Sequence, residues 1–415
     1  MTAVSEQIGN WVAEFAKQPT SPFQALREAA FERFSGLGFP TTHEEEWRFT
    51  NVGPIARREF KAAAPAEAQV ADFAPWSQSG VRLVFVNGFL VQAPAQLPKG
   101  VQAGNLAIEA GSYLAKVAGF ERNPFVALNT AFLNHGAYVR IERGTVLEEP
   151  VQIVFITTGE GVHVHPRVLL LVGAAAQCRV VETYAGAGSY FTNAVTEIVA
   201  GENAVVDHYK VTVEAPQAFH IATTQAELGR SANYSSHSIS LGGLLVRNNA
   251  GAVLSEGTKA TLNGLYIARG VQHIDNHTVI DHAKPHGTSH ELYKGILDGR
   301  AAAVFNGRIV VRKDAQKTDS KQTNKNLVLS DEAVIDTKPE LQIFADDVRC
   351  THGATIGQID TEAMFYLRSR GIGQNEARNL LIYAFAQEIV DRIQVPALRE
   401  ALERSLFEKF HEHAH

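Results

Sequence analysis

At 415 residues the chain is longer than one ordinary hydrophobic core organises, so two or three structural units are expected. A composition of 45% hydrophobic, 20% charged and 8% aromatic residues is that of a globular protein, and 38 basic against 44 acidic residues leave a net charge of −6. No run of five Lys or Arg marks a nucleic-acid or anionic-lipid surface, and two cysteines, Cys178 and Cys350, are too few for a disulfide scaffold or a four-cysteine cluster within one chain.

The first residues, MTAVSEQIGNWVAEF, have neither a basic leader nor a long apolar stretch, and they are acidic for a transit peptide. The expectation is a cytoplasmic, reduced compartment, with no membrane association. Ser21-Pro22-Phe23-Gln24 has the pattern of a capping box, with Ser21 as the cap and Pro22 in the first helical position. Phe23, Leu26, Ala30, Phe31 and Phe34 follow at helical spacing, and Gly36 stands where that helix is expected to stop. An acidic turn, HEEEWRFTNV (His43–Val52), and a Pro/Ala-rich linker (Ala62–Ala68) complete an N-terminal helical unit, residues 1–80.

From 81 to 359 the character is β. Val81–Val86, Val151–Thr157, Val168–Val172, Arg179–Thr183, Ala194–Val199 and Val205–Val213 read as strands separated by Gly, Asn and Asp. No amphipathic helix fits between them, which excludes a βαβ design. Gly173-Ala-Ala-Ala176, Gly201-Glu-Asn-Ala204 and Gly229-Arg-Ser-Ala232 repeat G-x-x-A every 28 residues; Gly299-Arg-Ala-Ala302 and Ser330-Asp-Glu-Ala333 read as later members. Strands at this period without helices predict stacked β-coils, a parallel β-helix, in preference to propeller blades, which need four strands in about 40 residues.

Residues 360–415 return to a helical period. Thr361–Arg370 ends at Gly371. Ala377, Leu380, Leu381, Ala384, Phe385 and Ile389 form an apolar stripe, and Pro396 opens a last helix carrying Leu398, Leu402, Leu406 and Phe410. The terminal helices are expected to cap the open strand edges of the solenoid.

Phosphate-binding and nucleophile-elbow motifs are missing, which disfavours an NTPase, a Rossmann enzyme or an α/β-hydrolase. Histidine is the suggestive residue. His163 and His165 share a face if they lie on a strand; His273, His277, His282, His286 and His290 cluster in sequence; His411, His413 and His415 form a tail. Surface or turn histidines are the plainer reading of these runs. Cys350 and His352 would lie on one strand face, about 7 Å apart at about 3.3 Å per residue, a soft and an intermediate ligand for iron, copper or zinc. A buried Cys350 packing as a small hydrophobe is the plainer alternative. Cys178 reads as core. Asp275, Asp281 and Asp298 are a loose match to the acid groups of β-helix carbohydrate enzymes.

HEEEWRFTNV, HTVIDHAKPHGTSHELYKGILDG (His277–Gly299), DDVRCTHGATIGQIDTEAMFYLRSRGI (Asp346–Ile372) and ARNLLIYAF (Ala377–Phe385), in this order along most of the chain, resemble the SufB/SufD family of iron–sulfur cluster assembly proteins. CTHGATIG followed by LRSRGI is similar to the SufD side. The resemblance implies a right-handed parallel β-helix between N- and C-terminal helical domains, and a non-catalytic subunit of a scaffold complex. It implies pairing with a SufB-like chain through the β-helix and docking of a SufC-like ATPase on the C-terminal helices. ATP would then be bound by that partner, its subunits pulling on Thr361–Ile393 to open the interface. By the same likeness His352, and less strongly Cys350, would help hold iron or a nascent cluster shared with the partner. One His and one Cys cannot complete a cluster's ligand set. A reduced flavin in the complex and a homodimer of the isolated chain are further implications. A purely structural stabiliser, a self-sufficient scaffold and a β-helix carbohydrate enzyme are the competing readings.

Overall fold

The computed structural model describes residues 3–106, 110 and 112–411, with residues 3–7, 410 and 411 described by their backbone alone. The N-terminal region holds α1 (Ala3–Ala16), α2 (Gln24–Leu37), α3 (Gly53–Arg57), a two-residue strand β1 (Lys61–Ala62) and α4 (Val70–Phe73). The capping expectation is displaced by two residues. Ser21 Oγ accepts from the Phe23 N–H at 3.2 Å in a turn ahead of α2, and the helix continues through Gly36 to Gly38, whose φ of 66° ends it.

The strands that follow are β2 (Val81–Val86), β3 (Phe89–Gln92), β4 (Val101–Asn105), β5 (Ala137–Ile141), β6 (Val151–Val164), β7 (Arg167–Val172), β8 (Gln177–Ala200), β9 (Val205–Val213) and β10 (Phe219–Leu228). They continue with β11 (Asn233–Ser240), β12 (Leu245–Leu254), β13 (Lys259–Ala268), β14 (His273–His282), β15 (Thr288–Leu297), β16 (Ala302–Val311), β17 (Asp319–Val328), β18 (Val334–Ile343) and β19 (Arg349–Gly357). Between β4 and β5 lies α5 (Pro124–Ala131), a short helix that the sequence pattern does not announce.

Apart from β3 and β4, each strand pairs in parallel with a strand one coil away. One ladder runs β2, β6, β8, β9, β11, β13, β15, β17, β19. The other runs β5, β7, β8, β10, β12, β14, β16, β18. This is the expected parallel β-solenoid. The two stretches Arg179–Thr183 and Ala194–Val199 belong to one strand, β8, which serves both sheets. It bends at Gly188, φ 104°, where a Cβ would lie 2.2 Å from the Gly159 carbonyl oxygen of the coil beneath.

The 28-residue repeat is real but its later members are different. Ala175, Asn203, Ser231, Gly257, His286 and Lys317 form one column of left-handed residues, one per coil. The N–H of each donates to a carbonyl of the next coil, as in Ala175 to Glu202 and Asn203 to Arg230. The column passes through Gly257 and His286, where no G-x-x-A is written. Gly299 and Ser330 stand in the turns β15–β16 and β17–β18, on the opposite edge of the solenoid. Two columns of turns, each with its own small-residue bias, had merged into one apparent array.

Inward-facing Val, Ile, Leu and Ala fill the space between the sheets. The middle of that space is polar: Glu182, Tyr184, His208, Lys210, Glu214 and His220 are buried and hydrogen-bonded to one another. The outer faces of both sheets are covered in part. The N-terminal helices and α5 bury Trp11, Phe34, Phe39 and Phe125 against Phe191, Phe219 and Leu245. On the other side α6 (Thr361–Ser369), α7 (Gln374–Val390) and α8 (Pro396–His411) follow the last coil, and Ile382, Ala386, Ile389, Leu398, Leu402 and Leu406 pack on Tyr209, Val211, Leu265 and Ile267. The buried side of α7 is rotated from the expected stripe: Ala377 and Ile389 are inside, Leu380 is outside.

The helices therefore clad a face of the solenoid and do not cap its C-terminal end. Its first coil is closed by the antiparallel strands β3 and β4. At the other end β18 and β19 each pair on one side only. No helix among the described residues is long and apolar enough to cross a membrane.

Candidate functional site at the open end of the solenoid

Cys350 and His352 lie on β19, in register with Ser320 and Gln322 of β17, which both face the solenoid interior. They thus continue the inward-facing column one coil beyond the closed core. Behind Cys350 the column is hydroxylic, with Ser289 Oγ 2.7 Å from Ser320 Oγ and His282 Nε2 2.9 Å from Ser289 Oγ. Behind His352, Gln322 Nε2 donates to Glu291 Oε2 at 2.7 Å. No further coil covers β19, so His352 is exposed and Cys350 half-buried. Burial, then the nearby Asp319 carboxylate, raise the Cys350 thiol pKa, so it stands protonated until a cation or a base takes its proton. Val334, Phe344 and Ile356 form an exposed apolar rim around this end, Phe344 being 63% exposed.

Among the described residues no three His, Cys, Asp or Glu side chains come together to hold a metal. The other sequence candidates disperse. His163 and His165 bond to each other at 3.0 Å inside the core, ringed by Trp11 and Phe132. His282 faces the interior, His286 is a left-handed turn residue, and His290 is exposed on β15. Cys178 is core, its thiol pushed up to about 12 by burial. The tail His413 and His415 and the side chain of His411 fall outside the described residues. The three aspartates form no acid cluster: Asp275 is buried on Arg247, Asp281 is paired with Arg312, and Asp298 accepts from its own turn's Gly299 N–H.

His273 and His277 belong to a second polar centre, on the outer face of the sheet and under the HEEEW segment. Asp275 accepts from Arg247 at 2.9 Å and Thr50 at 2.5 Å, and His277 Nε2 is 3.0 Å from it. Glu46 receives His277 Nδ1 at 3.3 Å and Arg308 at 2.5 Å, while Arg247 stacks 3.7 Å from the Trp47 ring centre. Burial opposes the charge on Asp275, but Arg247 and His277 hold its pKa well below the carboxylate range. The two motif blocks HEEEW and HTVIDH thus meet as a clasp. Sequence spacing held a usable signal, since Arg247 and Asp275 are 28 residues apart, the interval of the repeat.

The profile of the SUF system FeS cluster assembly SufBD core domain matches residues 155–385, and that of the SufBD protein N-terminal region matches residues 12–153. The chain belongs to the SufBD family. Within it, the chain is 37% identical over 402 residues to an iron-sulfur cluster assembly SufBD family protein of Synechocystis sp., covering 91% of this chain and 88% of that one. It is 33% identical over 371 residues to the iron-sulfur cluster assembly protein SufD of Escherichia coli, covering 88% and 87%. SufD of Bacillus subtilis is 26% identical over 68% of this chain and 66% of its own length. The chain is therefore a SufD-like iron–sulfur cluster assembly protein of the SufBD family, as its motifs imply.

Proposed function

We propose that this chain is the SufD-like half of a cluster-assembly scaffold, operating in the cytoplasm. It pairs through the open C-terminal end of its solenoid with a SufB-like chain. The observation that carries this reading is the unfinished last coil. Unpaired edges on β18 and β19, an apolar rim and an inward-facing Cys350–His352 pair lie together on a surface that another chain could complete. Two ligands fall short of what iron or a nascent cluster needs, so the substrate would be held between chains, His352 supplying an imidazole and Cys350 a thiolate once its proton is displaced. The same end could bring two copies together when the partner is absent, giving a homodimer.

Docking of the SufC-like ATPase is assigned to α6 and the start of α7. No residue of α6 is buried, and Phe365 is 73% exposed with Tyr366 and Leu380 also outside. Nucleotide would be bound by that partner. Motion of α6 would reach the last coil through the short connection 358–360.

The test is co-purification with SufB-like and SufC-like partners, wild type against His352→Ala, scored by iron and acid-labile sulfide. An assembled complex depleted of iron is expected. An assembled complex that loads normally would leave the chain a structural arm, the rival reading.

A further inference from the structure

Gln322 is 1% exposed, and its two amide atoms have different fates. Nε2 donates to Glu291 Oε2 at 2.7 Å, and an ionised Glu291, which can only accept, sets the orientation of the amide. Oε1 is buried without a hydrogen-bond partner among the described residues. An orphaned buried carbonyl oxygen costs about 1–3 kcal/mol, so a position that keeps one calls for a donor that arrives later. The opposite wall makes room for this amide: a Cβ on Gly307 would lie 2.2 Å from Gln322 Nε2. The residue in register with Gln322 on the next and last strand is His352. Adjacent strands are about 4.8 Å apart, within reach of an imidazole N–H to an amide oxygen.

We infer that Gln322 is a positioning residue for His352, its Oε1 accepting one ring N–H so that the other ring nitrogen is left unprotonated and aimed at iron. This rests on the shared-site reading above. Glu291 acts behind it by fixing which way the amide faces. When a partner coil covers β19, the ring loses water as an alternative acceptor, and Gln322 is the acceptor one coil below. Outer hydrogen-bond partners of ligating histidines set the tautomer in this way, and losing one weakens metal affinity about 10- to 100-fold.

The test uses the full chain, with 15N-labelled imidazoles, in complex with its SufB-like and SufC-like partners; the His352 signal is the one that His352→Ala removes. In the wild type the ring should be a single neutral tautomer. Gln322→Met should return it to the mixture of free imidazole and weaken iron binding about 10- to 100-fold. Gln322→Glu, which restores an acceptor oxygen, should recover the single tautomer and most of the iron. A wild-type ring already showing the free-imidazole mixture overturns the inference, even if Gln322→Met fails to assemble. If His352→Ala loses iron while Gln322→Met changes neither tautomer nor iron, the shared site stands and the positioning role falls. If His352→Ala loads normally, both fall.

Discussion

Glu46 Oε2 lies 3.3 Å from His277 Nδ1, joining a 3-10 turn of the N-terminal region to a strand in the middle of the solenoid. The hydrogen bond from His277 holds Glu46 at about 2 against the opposing effect of burial. Burial lowers His277, but Asp275 and Glu46 outweigh it and its pKa is raised. Glu46 therefore stabilises the fold above its ordinary 4.5 and loses that contribution as pH falls towards 2. His277 contributes below its ordinary 6.5 and loses its contribution as pH rises through the raised value. The clasp should be strongest between those two ordinary values. Because Glu46 is half exposed, a Glu46→Gln/His277→Gln double-mutant cycle in urea should give a coupling of about 1 kcal/mol or less at pH 5.5. It should shrink at pH 9; equal coupling at both would refute the ion pair.

Glu197 is a stronger anchor. Fully buried, it accepts from Ala115 N at 2.9 Å, Val117 N at 3.0 Å and Ala118 N at 3.1 Å, and it pairs with Arg167, which also reaches Asn129 and Thr130 of α5. Glu197→Ala leaves the buried Arg167 charge without its carboxylate and three N–H groups without their acceptor, and about 3–5 kcal/mol of stability should be lost. Urea unfolding measures it, and a loss under about 1 kcal/mol would contradict the buried-anchor account.

Gly295 is a packing position. A Cβ there would lie 2.3 Å from Tyr266 Cε2 and 2.5 Å from Asn326 Oδ1, which itself accepts from Tyr266 at 2.5 Å. Gly295→Ala should cost about 1–3 kcal/mol, whereas Gly353→Ala on open β19, with nothing within 4 Å of its Cβ, should be close to neutral. Thermal unfolding of the two variants side by side decides it.

Burial raises Glu291 from 4.5 to about 7. The folded chain then holds a proton that the unfolded chain has released, so this group's contribution is full below pH 4.5 and is lost as pH rises through 7. Glu291→Gln keeps an acceptor for Gln322 and removes the titration. Its stability relative to wild type should rise by up to a few kcal/mol between pH 4.5 and pH 8, on the order of 1.4 kcal/mol per pKa unit as an upper bound. A pH-independent difference would mean that Glu291 does not carry the proton.

Phe365 on α6 touches no core. Phe365→Ala should leave the melting temperature of the isolated chain unchanged while reducing capture of the SufC-like ATPase in a pull-down at least tenfold, the loss expected of an interface anchor worth about 1.4 kcal/mol or more. Undiminished capture would move the docking site elsewhere.

Much of the fold was legible because it is local. Val81–Val86 and Val205–Val213 are strands with those same bounds, since a β-branched run between turn residues has few other solutions. The cap of α2 and the buried face of α7 were misread, because both are set by what the helix meets: Phe23 packs against Leu106 and Leu133, and α7 turns Ile382, Ala386 and Ile389 to the sheet while the apolar Leu380 is left outside. His163 and His165 read most plainly as surface or turn residues, with a ligand pair as the alternative, yet both are buried partners of Trp11, an outcome written in a helix far away in the chain.

The chain's own residues, read in order, determined the solenoid, the helical ends, the family and the Cys350–His352 pair, because each rests on a period or a contiguous motif. Only the tertiary structure decided which end of the solenoid stays open, that Glu46 closes on His277, and that Gln322 lies beneath His352 with an unspent oxygen. The stacking of Gln322 under His352 depends on register between coils 26 to 32 residues apart, and the spacing varies from turn to turn with each loop. A contact between stacked strands is set by the sum of the turns between them, which no single stretch of sequence contains.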